Sequence, residues 1–330
     1  MKKMILLIGI VLSPACYAQK RHADAVFWNV ENYYDPFVDS LQRQDLAFTP
    51  RGANRWTWPR FTAKRDGIAK TLIAMGVDEL PVWVGLCEIE NRFVLEQLVR
   101  QTPLAPAGYR ILHRDGPDMR GIDVALLYRP ERFRILLSRF LRVPLPDTTQ
   151  HTREILYAKG VLDDLDTLHL FVNHWPSKRG GAKASMARRM AAAQRLCLSV
   201  DSIFVLHPAA NIMIMGDFND TPLSKVMQAL SQGRPLHNLT VPLVRRKQGT
   251  IRYRGRWELI DQFIVSENLL CTNEPIYTSA EHCRIFAPPF LLIQDDKYLG
   301  MKPFRTYLGP RYQGGVSDHL PIILRIERNY

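Results

Sequence analysis

Short apolar segments recur along the whole chain, with helical spacing between several of them, and this order of elements constrains the fold more than any other feature. Apolar runs bounded by polar, proline or glycine residues are typical of strands. Some of these runs alternate with polar residues and others are continuous, which fits sheets packed face to face. The predicted strands are residues 25–30, 82–88, 122–128, 154–162, 168–175, 211–218, 257–266 and 319–326.

Apolar residues three and four positions apart predict helices over residues 62–75, 92–101 and 182–206. Strands and helices therefore follow one another along the chain, which indicates an α/β fold. No repeat, low-complexity tract or linker divides the sequence, and 46 % of its residues are apolar, enough for one large core. We predict a single domain over residues 19–330. Residues 287–312, rich in proline and aromatic side chains, are predicted to form a long surface loop.

The first residues have the pattern of an export signal. Two lysines precede an apolar run over residues 4–12, and small residues follow as far as Ala18. This run is too short to span a bilayer stably, and no later segment is long and apolar enough. We therefore expect a signal peptide over residues 1–18, no transmembrane span, and a mature protein that is periplasmic or secreted. The alternative is a lipid anchor at Cys16, although the aliphatic residue expected three positions before a lipidated cysteine is missing.

The four cysteines after the predicted signal are Cys87, Cys197, Cys271 and Cys283. They are too sparse for a disulfide framework, and no C-x-x-C pair indicates zinc. Cys87 lies in a predicted strand and Cys197 in a predicted helix, where a small buried side chain is the ordinary interpretation. Cys271 and Cys283 are candidates to pair across a loop in an oxidising compartment.

The charge of the chain indicates an anionic partner. Lysine and arginine number 44 against 32 acidic residues, a formal net charge of +12. Such a charge attracts nucleic acid, anionic lipid surfaces or phosphorylated metabolites. Basic residues concentrate in residues 177–189 and 245–256, where Tyr253 and the nearby Trp257 are candidates to stack on bases or rest on a sugar. A solvated, positively charged face is the other interpretation.

Acids, amides and histidines repeatedly lie at the last residues of a predicted strand or in the loop after it. Six segments have this pattern: FWNVEN, GLCEIEN, VNHWPS, MGDFND, WELIDQ and VSDHLP. Strand ends in layered α/β proteins converge at one edge of the sheets, where sites are usually built. Each of these residues alone is more typical of a helix cap or a turn than of a catalyst. Six in order predict a functional site.

These segments resemble those of the endonuclease/exonuclease/phosphatase superfamily, which includes pancreatic-type deoxyribonucleases, apurinic endonucleases, inositol polyphosphate 5-phosphatases and bacterial sphingomyelinases. GDFND and SDHLP in this order carry most of the resemblance, which extends from Ala25 to Ile326. It implies an α/β four-layer sandwich, in which two mixed β-sheets pack face to face with helices on both outer sides. The site lies at one end of that sandwich.

The resemblance also implies hydrolysis of a phosphoester with a divalent ion. The negative charge of a phosphodiester repels the attacking hydroxide, so the catalyst needs a hard cation, a group that activates water, and donors around the phosphoryl oxygens. Carboxylate and amide oxygens suit Mg²⁺, the expected cofactor, with Mn²⁺ and Ca²⁺ as alternatives. Glu88 is the first choice of metal ligand. Asn29 matches the amide ligand of the family, and Glu31 and Asp318 match positions that complete the site.

The resemblance gives catalytic roles to three residues in the middle of the chain. Asp217 orients or deprotonates the attacking water, and Asn219 donates to a phosphoryl oxygen. The two straddle one residue and can point the same way from an extended turn. His174 matches the second histidine of the deoxyribonuclease-like members, and is expected to protonate the leaving oxygen.

A second histidine and two arginines complete the predicted site. His319 contacts the phosphate, and Asp261 accepts from its other nitrogen, which fixes the tautomer and raises the pKa of the histidine. Arg153 resembles the family arginine that reaches a phosphate, and Arg120 is a second candidate. A guanidinium suits this task because its planar fork binds two oxygens.

The leading hypothesis is an exported nuclease that acts on DNA in preference to RNA. Its sequence specificity is expected to be low, because lysine and arginine contacts to the backbone carry little base information. The alternative is a phosphatase or phosphodiesterase for a phosphorylated lipid, inositol or sugar, and an exposed apolar loop over residues 287–293 would favour a lipid. A binding module without catalysis is a third hypothesis. The presence of Glu88, Asp217 and His319 argues against it. No stable protein partner is implied.

Overall fold

The computed structural model describes residues 22–37, 46–76, 79–178 and 181–329. The predicted signal peptide and Cys16 lie outside the described residues. The helices are α1 (Trp58–Met75), α2 (Arg92–Arg100), α3 (Ala182–Leu206), α4 (Lys225–Ser231) and α5 (Val241–Arg245). The strands are β1 (Ala23–Tyr33), β2 (Trp83–Ile89), β3 (Arg110–His113), β4 (Asp123–Tyr128), β5 (Phe133–Leu141), β6 (Ile155–Leu162), β7 (Asp166–His174), β8 (Asn211–Asp217), β9 (Leu236–Asn238), β10 (Ile251–Tyr253), β11 (Arg256–Glu258), β12 (Asp261–Ser266), β13 (Ile276–Tyr277), β14 (Cys283–Ile285), β15 (Leu292–Gln294), β16 (Met301–Pro303), β17 (Tyr307–Leu308), β18 (Arg311–Tyr312) and β19 (Ile322–Arg328).

Two large sheets form the centre of the molecule. The first has the strand order β13-β19-β1-β2-β4-β3, with β14 also paired to β19, and the second has the order β5-β6-β7-β8-β12-β9. Both sheets are mixed. In the first, β1 is parallel to β2 and antiparallel to β19. In the second, β7 is parallel to β8 and antiparallel to β6.

The two sheets pack face to face over a fully buried apolar core. Phe27 and Trp83 enter it from the first sheet, and Leu170 and Met213 from the second. At Gly85 the sheets approach so closely that a Cβ atom would lie 2.7 Å from the sulfur of Met215. A larger residue there would push the sheets apart.

Helices cover the outer face of each sheet. Buried side chains of α1 and α2, such as Leu72 and Leu95, share a core with Trp28 of β1. On the opposite side, Leu196 of α3 shares a core with Ile214 of β8. The layers are therefore helices, sheet, sheet, helices, and the predicted four-layer sandwich is confirmed. Among the described residues, no helix combines the length and apolarity needed to cross a membrane.

Most predicted elements correspond to observed ones, with three corrections. The predicted strand over residues 257–266 is two strands, β11 and β12, of which β11 pairs with β10 in a separate hairpin. The predicted long loop over residues 287–312 contains two hairpins, β15 with β16 and β17 with β18. Leu291 and Tyr307 of this segment are buried against the first sheet and its helices. Leu291 and Tyr307 therefore fill core space, whereas other apolar side chains of the segment, such as Leu299 and Leu308, are exposed.

The third correction concerns the cysteines. Cys271 and Cys283 are both free, so the suggested disulfide is absent from the structure. Cys271 is exposed, whereas Cys283 is buried in β14, where it packs into the core between the sheets. Burial raises the pKa of the Cys283 thiol, which disfavours the reactive thiolate.

Candidate active site

Strand register brings three predicted residues into one row at the end of the second sheet. His174 at the end of β7 pairs with Asp217 at the end of β8, and Asp217 pairs with Asp261 at the start of β12. In the first sheet, the pairing of β1 with β2 shifts register after Asn29. Such irregularities re-aim side chains at sheet ends.

A cleft of about 600 Å³ opens between the ends of the two sheets. It is lined by ten of the eleven predicted site residues: Asn29, Glu31, Glu88, Arg120, Arg153, His174, Asp217, Asn219, Asp318 and His319. The eleventh, Asp261, is fully buried and lies behind His319. The structure therefore gathers side chains from both halves of the sequence at one place.

His319 and Asp261 form a buried pair beside the cleft. The Nδ1 atom of His319 lies 2.8 Å from Oδ2 of Asp261. Burial alone would lower the pKa of His319, but the Asp261 carboxylate, with smaller contributions from Asp217 and Asp318, raises it well above the ordinary value. These carboxylates favour the imidazolium form of His319, whose Nε2 atom lies 3.9 Å from Oδ2 of Asp217 and 4.0 Å from Oδ1 of Asp318.

Hydrogen bonds to β1 fix the backbone around His319. The His319 amide donates to Oγ of Ser317 at 3.0 Å, and that hydroxyl donates to the Asn29 carbonyl at 2.6 Å. The indole nitrogen of Trp28 donates to the His319 carbonyl at 2.9 Å. These bonds join residues almost 300 positions apart and hold the SDHLP segment against the end of β1.

Asp217 lies at the centre of the site and is 1 % exposed. Its Oδ2 accepts from the Asn29 amide at 3.0 Å, and its Oδ1 accepts from the Asn219 backbone at 2.9 Å. Burial, followed by the charge of Asp261, raises the pKa of Asp217 to about 7. The Asn219 side chain donates to the Trp175 carbonyl at 3.0 Å, so it is held at the cleft wall.

His174 is buried, with Nε2 3.7 Å from Oδ2 of Asp217. Its Nδ1 atom has no hydrogen-bond partner among the described residues. Burial, followed by the positive charges of Arg153 and Arg120, lowers the pKa of His174 well below its ordinary value. The surroundings of the two histidines therefore favour different forms: the charged form of His319 and the neutral form of His174.

Glu88 adopts a positive φ of 61° at the end of β2, which turns its carboxylate into the cleft. One carboxylate oxygen, Oε2, accepts from the Asn32 amide at 2.8 Å and lies 3.5 Å from the Arg120 guanidinium. Arg120 also donates to the side-chain oxygen of Asn32 at 2.6 Å. The other oxygen of Glu88 has no hydrogen-bond partner among the described residues.

Arg153 bridges the loop before β4 and the loop after β7. It donates to Asp118 at 3.0 Å and to the Trp175 carbonyl at 2.9 Å. Its Nε atom is buried and has no partner among the described residues. The guanidinium is thus fixed at the cleft, and its Nε–H donor is unused.

A model of the Endonuclease/Exonuclease/phosphatase family matches residues 25–328, a range that includes both sheets and all residues lining the cleft. The chain belongs to the Endonuclease/Exonuclease/phosphatase family. Endonucleases, exonucleases and phosphatases all hydrolyse phosphoester bonds. The activity class of the chain is therefore phosphoester hydrolysis.

Solved structures share this family's fold at low sequence identity. D. rerio TDP2 complexed with single strand DNA product is 17 % identical, with a TM-score of 0.55 over 92 % of this chain and 98 % of that one. The human nocturnin catalytic domain with bound sulfate is 15 % identical, with a TM-score of 0.57 over 93 % and 95 %. An endonuclease/exonuclease/phosphatase from Bacteroides vulgatus is 16 % identical, with a TM-score of 0.58 over 94 % and 100 %. No curated protein matches the chain.

Enzymes of the Endonuclease/Exonuclease/phosphatase family depend on divalent metal ions, and two sets of side chains in the cleft offer ligands. Asp217, Asp261 and His319 place one ligand atom each within 4.8 Å of one another. However, the hydrogen bond between Asp261 and His319 already occupies two of these groups. Glu88 and Asn29 fit a hard cation better, because each presents a side-chain oxygen in the cleft and Glu88 keeps one oxygen unpaired among the described residues.

Both carboxylate oxygens of Glu31 bind protein groups, unlike those of the predicted ligand Glu88. Its Oε2 accepts from the Thr306 amide at 2.7 Å, and its Oε1 accepts from Arg305 at 3.1 Å. Arg305 also donates to Asp318 at 3.0 Å. Burial, followed by the charge of Asp318, raises the pKa of Glu31 to about 7. Both oxygens of Glu31 are thus used to hold the segment that carries Arg305.

Two of the residues that the sequence interpretation missed are Arg305 and Lys64. Lys64 of α1 is 2 % exposed, and its ammonium donates to the Glu31 carbonyl, to Thr306 and to the Val316 carbonyl at 2.5, 2.6 and 2.8 Å. Burial lowers its pKa to about 8. Neither residue lies at or just after the end of a predicted strand, which is the position that identified the other site residues. Two further residues that line the cleft, Lys178 and Tyr253, lie in the basic segments noted above.

Proposed function

We propose that the chain is an exported, Mg²⁺-dependent nuclease that hydrolyses phosphodiester bonds of nucleic acid by attack of water. The observation that carries this proposal is the row of His174, Asp217 and Asp261, with cationic His319 beside it, in the same cleft as Glu88 and Asn29. A carboxylate with a raised pKa, a histidine whose surroundings favour the imidazolium, and oxygen ligands from Glu88 and Asn29 together meet the needs of phosphoester hydrolysis.

Glu88 and the Asn29 side-chain oxygen would hold the metal ion, with Asp318 at the edge of the site. When bound, Mg²⁺ supplies a hard cation that offsets charge on the phosphoryl oxygens. Glu31 contributes indirectly, since its oxygens hold Arg305 and Thr306. Among the four predicted metal ligands, only Glu31 is given a different role, that of a positioning residue.

Asp217 would accept the proton of the attacking water. Its pKa of about 7 suits a general base near neutral pH. The amides of Asn29 and Asn219 bind its two oxygens and so fix the orientation of the carboxylate. The imidazolium of His319 would donate to a phosphoryl oxygen, with Asp261 keeping it charged.

His174 is neutral in this site, which does not favour its predicted role as the acid that protonates the leaving oxygen. We propose that it donates a hydrogen bond from one ring nitrogen to the phosphate. Arg120 and Arg153 lie on the cleft wall near it and are the further candidates to bind phosphoryl oxygens.

The rim of the cleft, formed by Lys178, Tyr253 and Arg254, supports nucleic acid as the substrate. Lys178 and the half-exposed ring of Tyr253 line it, and Arg254 lies over that ring at 5.2 Å. Cationic and aromatic side chains together bind a phosphate backbone and its bases. D. rerio TDP2, which shares the fold, has been solved with a single strand DNA product. The lipid alternative has weaker support, because Leu291 of the predicted apolar loop is buried while Ile293 is 38 % exposed.

The test is an activity screen of the purified chain with Mg²⁺ and with a chelator. Plasmid DNA, single-stranded DNA, RNA, phospholipids and phosphosugars are supplied in parallel. We expect Mg²⁺-dependent cleavage of the nucleic acids, with DNA cleaved faster than RNA. Release of phosphate or head groups from the small substrates alone would overturn the nuclease proposal and leave the phosphatase alternative.

A further inference from the structure

A group of metal-binding side chains lies outside the cleft, where β3 leads into β4. His113 ends β3, Asp115 follows it, and Asp123 begins β4. The antiparallel register pairs His113 with Ala125, so Asp123, two residues before Ala125, projects from the same face as His113. One ligand atom from each of the three side chains lies within 4.8 Å of the others.

The imidazole of His113 is buried without a partner. Its side chain is 1 % exposed, and neither ring nitrogen has a hydrogen-bond partner among the described residues. A neutral imidazole has one donor and one acceptor, and buried polar groups are rarely left unpaired. The Nδ1 atom lies 3.8 Å from Oδ1 of Asp115, too far for a hydrogen bond and close enough for both to reach one ion. Burial lowers the pKa of His113 to about 4, which favours the neutral, ligating form.

Asp123 is a buried carboxylate that has no ion-pair partner among the described residues, although the more distant charge of Arg153 partly offsets the rise of its pKa. It is 4 % exposed, and none of the described basic side chains forms an ion pair with it. Its Oδ2 accepts from the Gly116 amide at 2.9 Å. Burial raises the pKa of Asp123 to about 7, and the charges of Asp118 and Asp115 add to the effect. A cation bound next to such a buried carboxylate would stabilise its charged form.

We propose that His113, Asp115 and Asp123 bind a transition-metal ion of the Zn²⁺ class. One imidazole nitrogen and two carboxylate oxygens suit zinc, which accepts three protein ligands and one water. The set is less suited to Mg²⁺, which prefers oxygen throughout. Asp115 is 64 % exposed in its side chain, so it can close over an ion that enters from solvent.

The ion would link the two ends of the segment that carries Asp118 and Arg120. Asp118 holds Arg153 at 3.0 Å, and Arg120 lies 3.5 Å from Glu88 in the cleft. Gly116 packs so closely on Asp123 that a Cβ atom would lie 2.3 Å from its Oδ1. A metal at this position would therefore brace the loop on which two cleft residues depend. The inference does not require the nuclease proposal.

The experiment measures binding of Zn²⁺ alone by the metal-free chain, in excess Mg²⁺ so that an oxygen site in the cleft is saturated. We expect one tight Zn²⁺ per chain, and visible absorption bands when Co²⁺ replaces it. Asp115→Asn and His113→Gln should each weaken binding by about tenfold or more. The matched control is Asp164→Asn, at an exposed carboxylate away from the site, which should bind as the parent chain does.

Circular dichroism of each variant separates lost binding from lost folding. Asp115→Asn keeps the test decisive if His113→Gln unfolds, because the Asp115 side chain is mostly exposed. Absence of tight Zn²⁺ binding by the parent chain would overturn the proposal, and so would equal binding by a folded Asp115→Asn. His113 and Asp123 would then satisfy each other through a shared proton or a buried water.

Discussion

Asp261 does not line the cleft, yet it determines the charge of a residue that does. It is fully buried, with Oδ2 2.8 Å from Nδ1 of His319 and Oδ1 unpaired among the described residues. An isolated buried carboxylate is unfavourable, and the hydrogen bond to the His319 ring offsets part of that cost. In the proposed mechanism, Asp261 positions His319 and favours its charged form.

Asp261→Asn should test this role. The amide removes the charge that raises the pKa of His319, so the imidazole should lose its proton at a lower pH. We expect turnover to fall by about 10²–10³-fold, the cost of losing one donor to a charged transition state. The pH at which activity declines on the alkaline side should also fall. NMR titration of His319 measures the pKa directly, and an unchanged pKa with lowered activity would contradict the argument.

Asp217→Asn separates catalysis from stability. The pKa of Asp217 is raised from 3.8 to about 7, so the folded state binds the proton more tightly than the unfolded state. The parent chain should therefore lose stability as the pH rises from about 4 to about 7, and the variant should lack that loss. We expect hydrolysis to fall by about 10²–10⁴-fold. Denaturant unfolding in chelator at pH 5 and pH 8 measures the difference. A variant that unfolds at pH 8 would show that the role of Asp217 is structural.

At the level of elements, the site depends on how α1 holds the segment after β16. Lys64 of α1 binds Thr306 and the carbonyls of Glu31 and Val316, and Glu31 binds the amide of Thr306. The segment from Arg305 to Val316 is thereby tied to the end of β1. Arg305 reaches the cleft only because this connection exists.

Lys64→Met should loosen the segment while leaving the sandwich folded. The change leaves the buried Glu31 carbonyl without its Lys64 donor and removes one of the two donors to the Val316 carbonyl, at a cost of about 1–3 kcal/mol in the free energy of unfolding. Hydrogen exchange should increase in residues 305–316 and not in β7 or β8. Lys70→Met is the matched control: its ammonium is exposed on the same helix and lies 4.4 Å from the centroid of the Phe290 ring, outside residues 305–316, so hydrogen exchange in that segment should not change. Uniform exchange across the molecule would contradict the proposed local role.

The sequence predicts the strand-end residues of the site well because strand register alone brings them together. His174, Asp217 and Asp261 each lie at a strand end, and pairing of neighbouring strands aligns them. The connection through Lys64 could not be predicted in this way. Its position in α1 has the spacing of an ordinary helical lysine, and Glu31 meets Arg305 across 274 positions. Strand β5 was also missed, because exposed and polar positions interrupt its apolar pattern, as on many edge strands.

For the whole molecule, the formal charge of +12 and the cleft chemistry make different predictions for large and small substrates. A nucleic acid releases counter-ions when lysines and arginines bind its phosphates, so its affinity falls steeply with salt. A small phosphoester contacts only the cleft and lacks most of that dependence. Salt therefore distinguishes a polymer substrate from a metabolite without any knowledge of the sequence that is cleaved.

Lys178→Ala tests whether the charge acts at the cleft or over the surface as a whole. Lys178 lines the cleft with its side chain 54 % exposed, whereas Arg134 of β5 is exposed and does not line it. Both alanine variants lose one positive charge, so they differ in the position of the charge and not in its number. We expect Lys178→Ala to weaken DNA binding and to reduce the slope of log affinity against log salt by about 1, with Arg134→Ala close to the parent chain. If both variants change the slope equally, the attraction is a property of net charge, and the cleft rim is not the path of the nucleic acid.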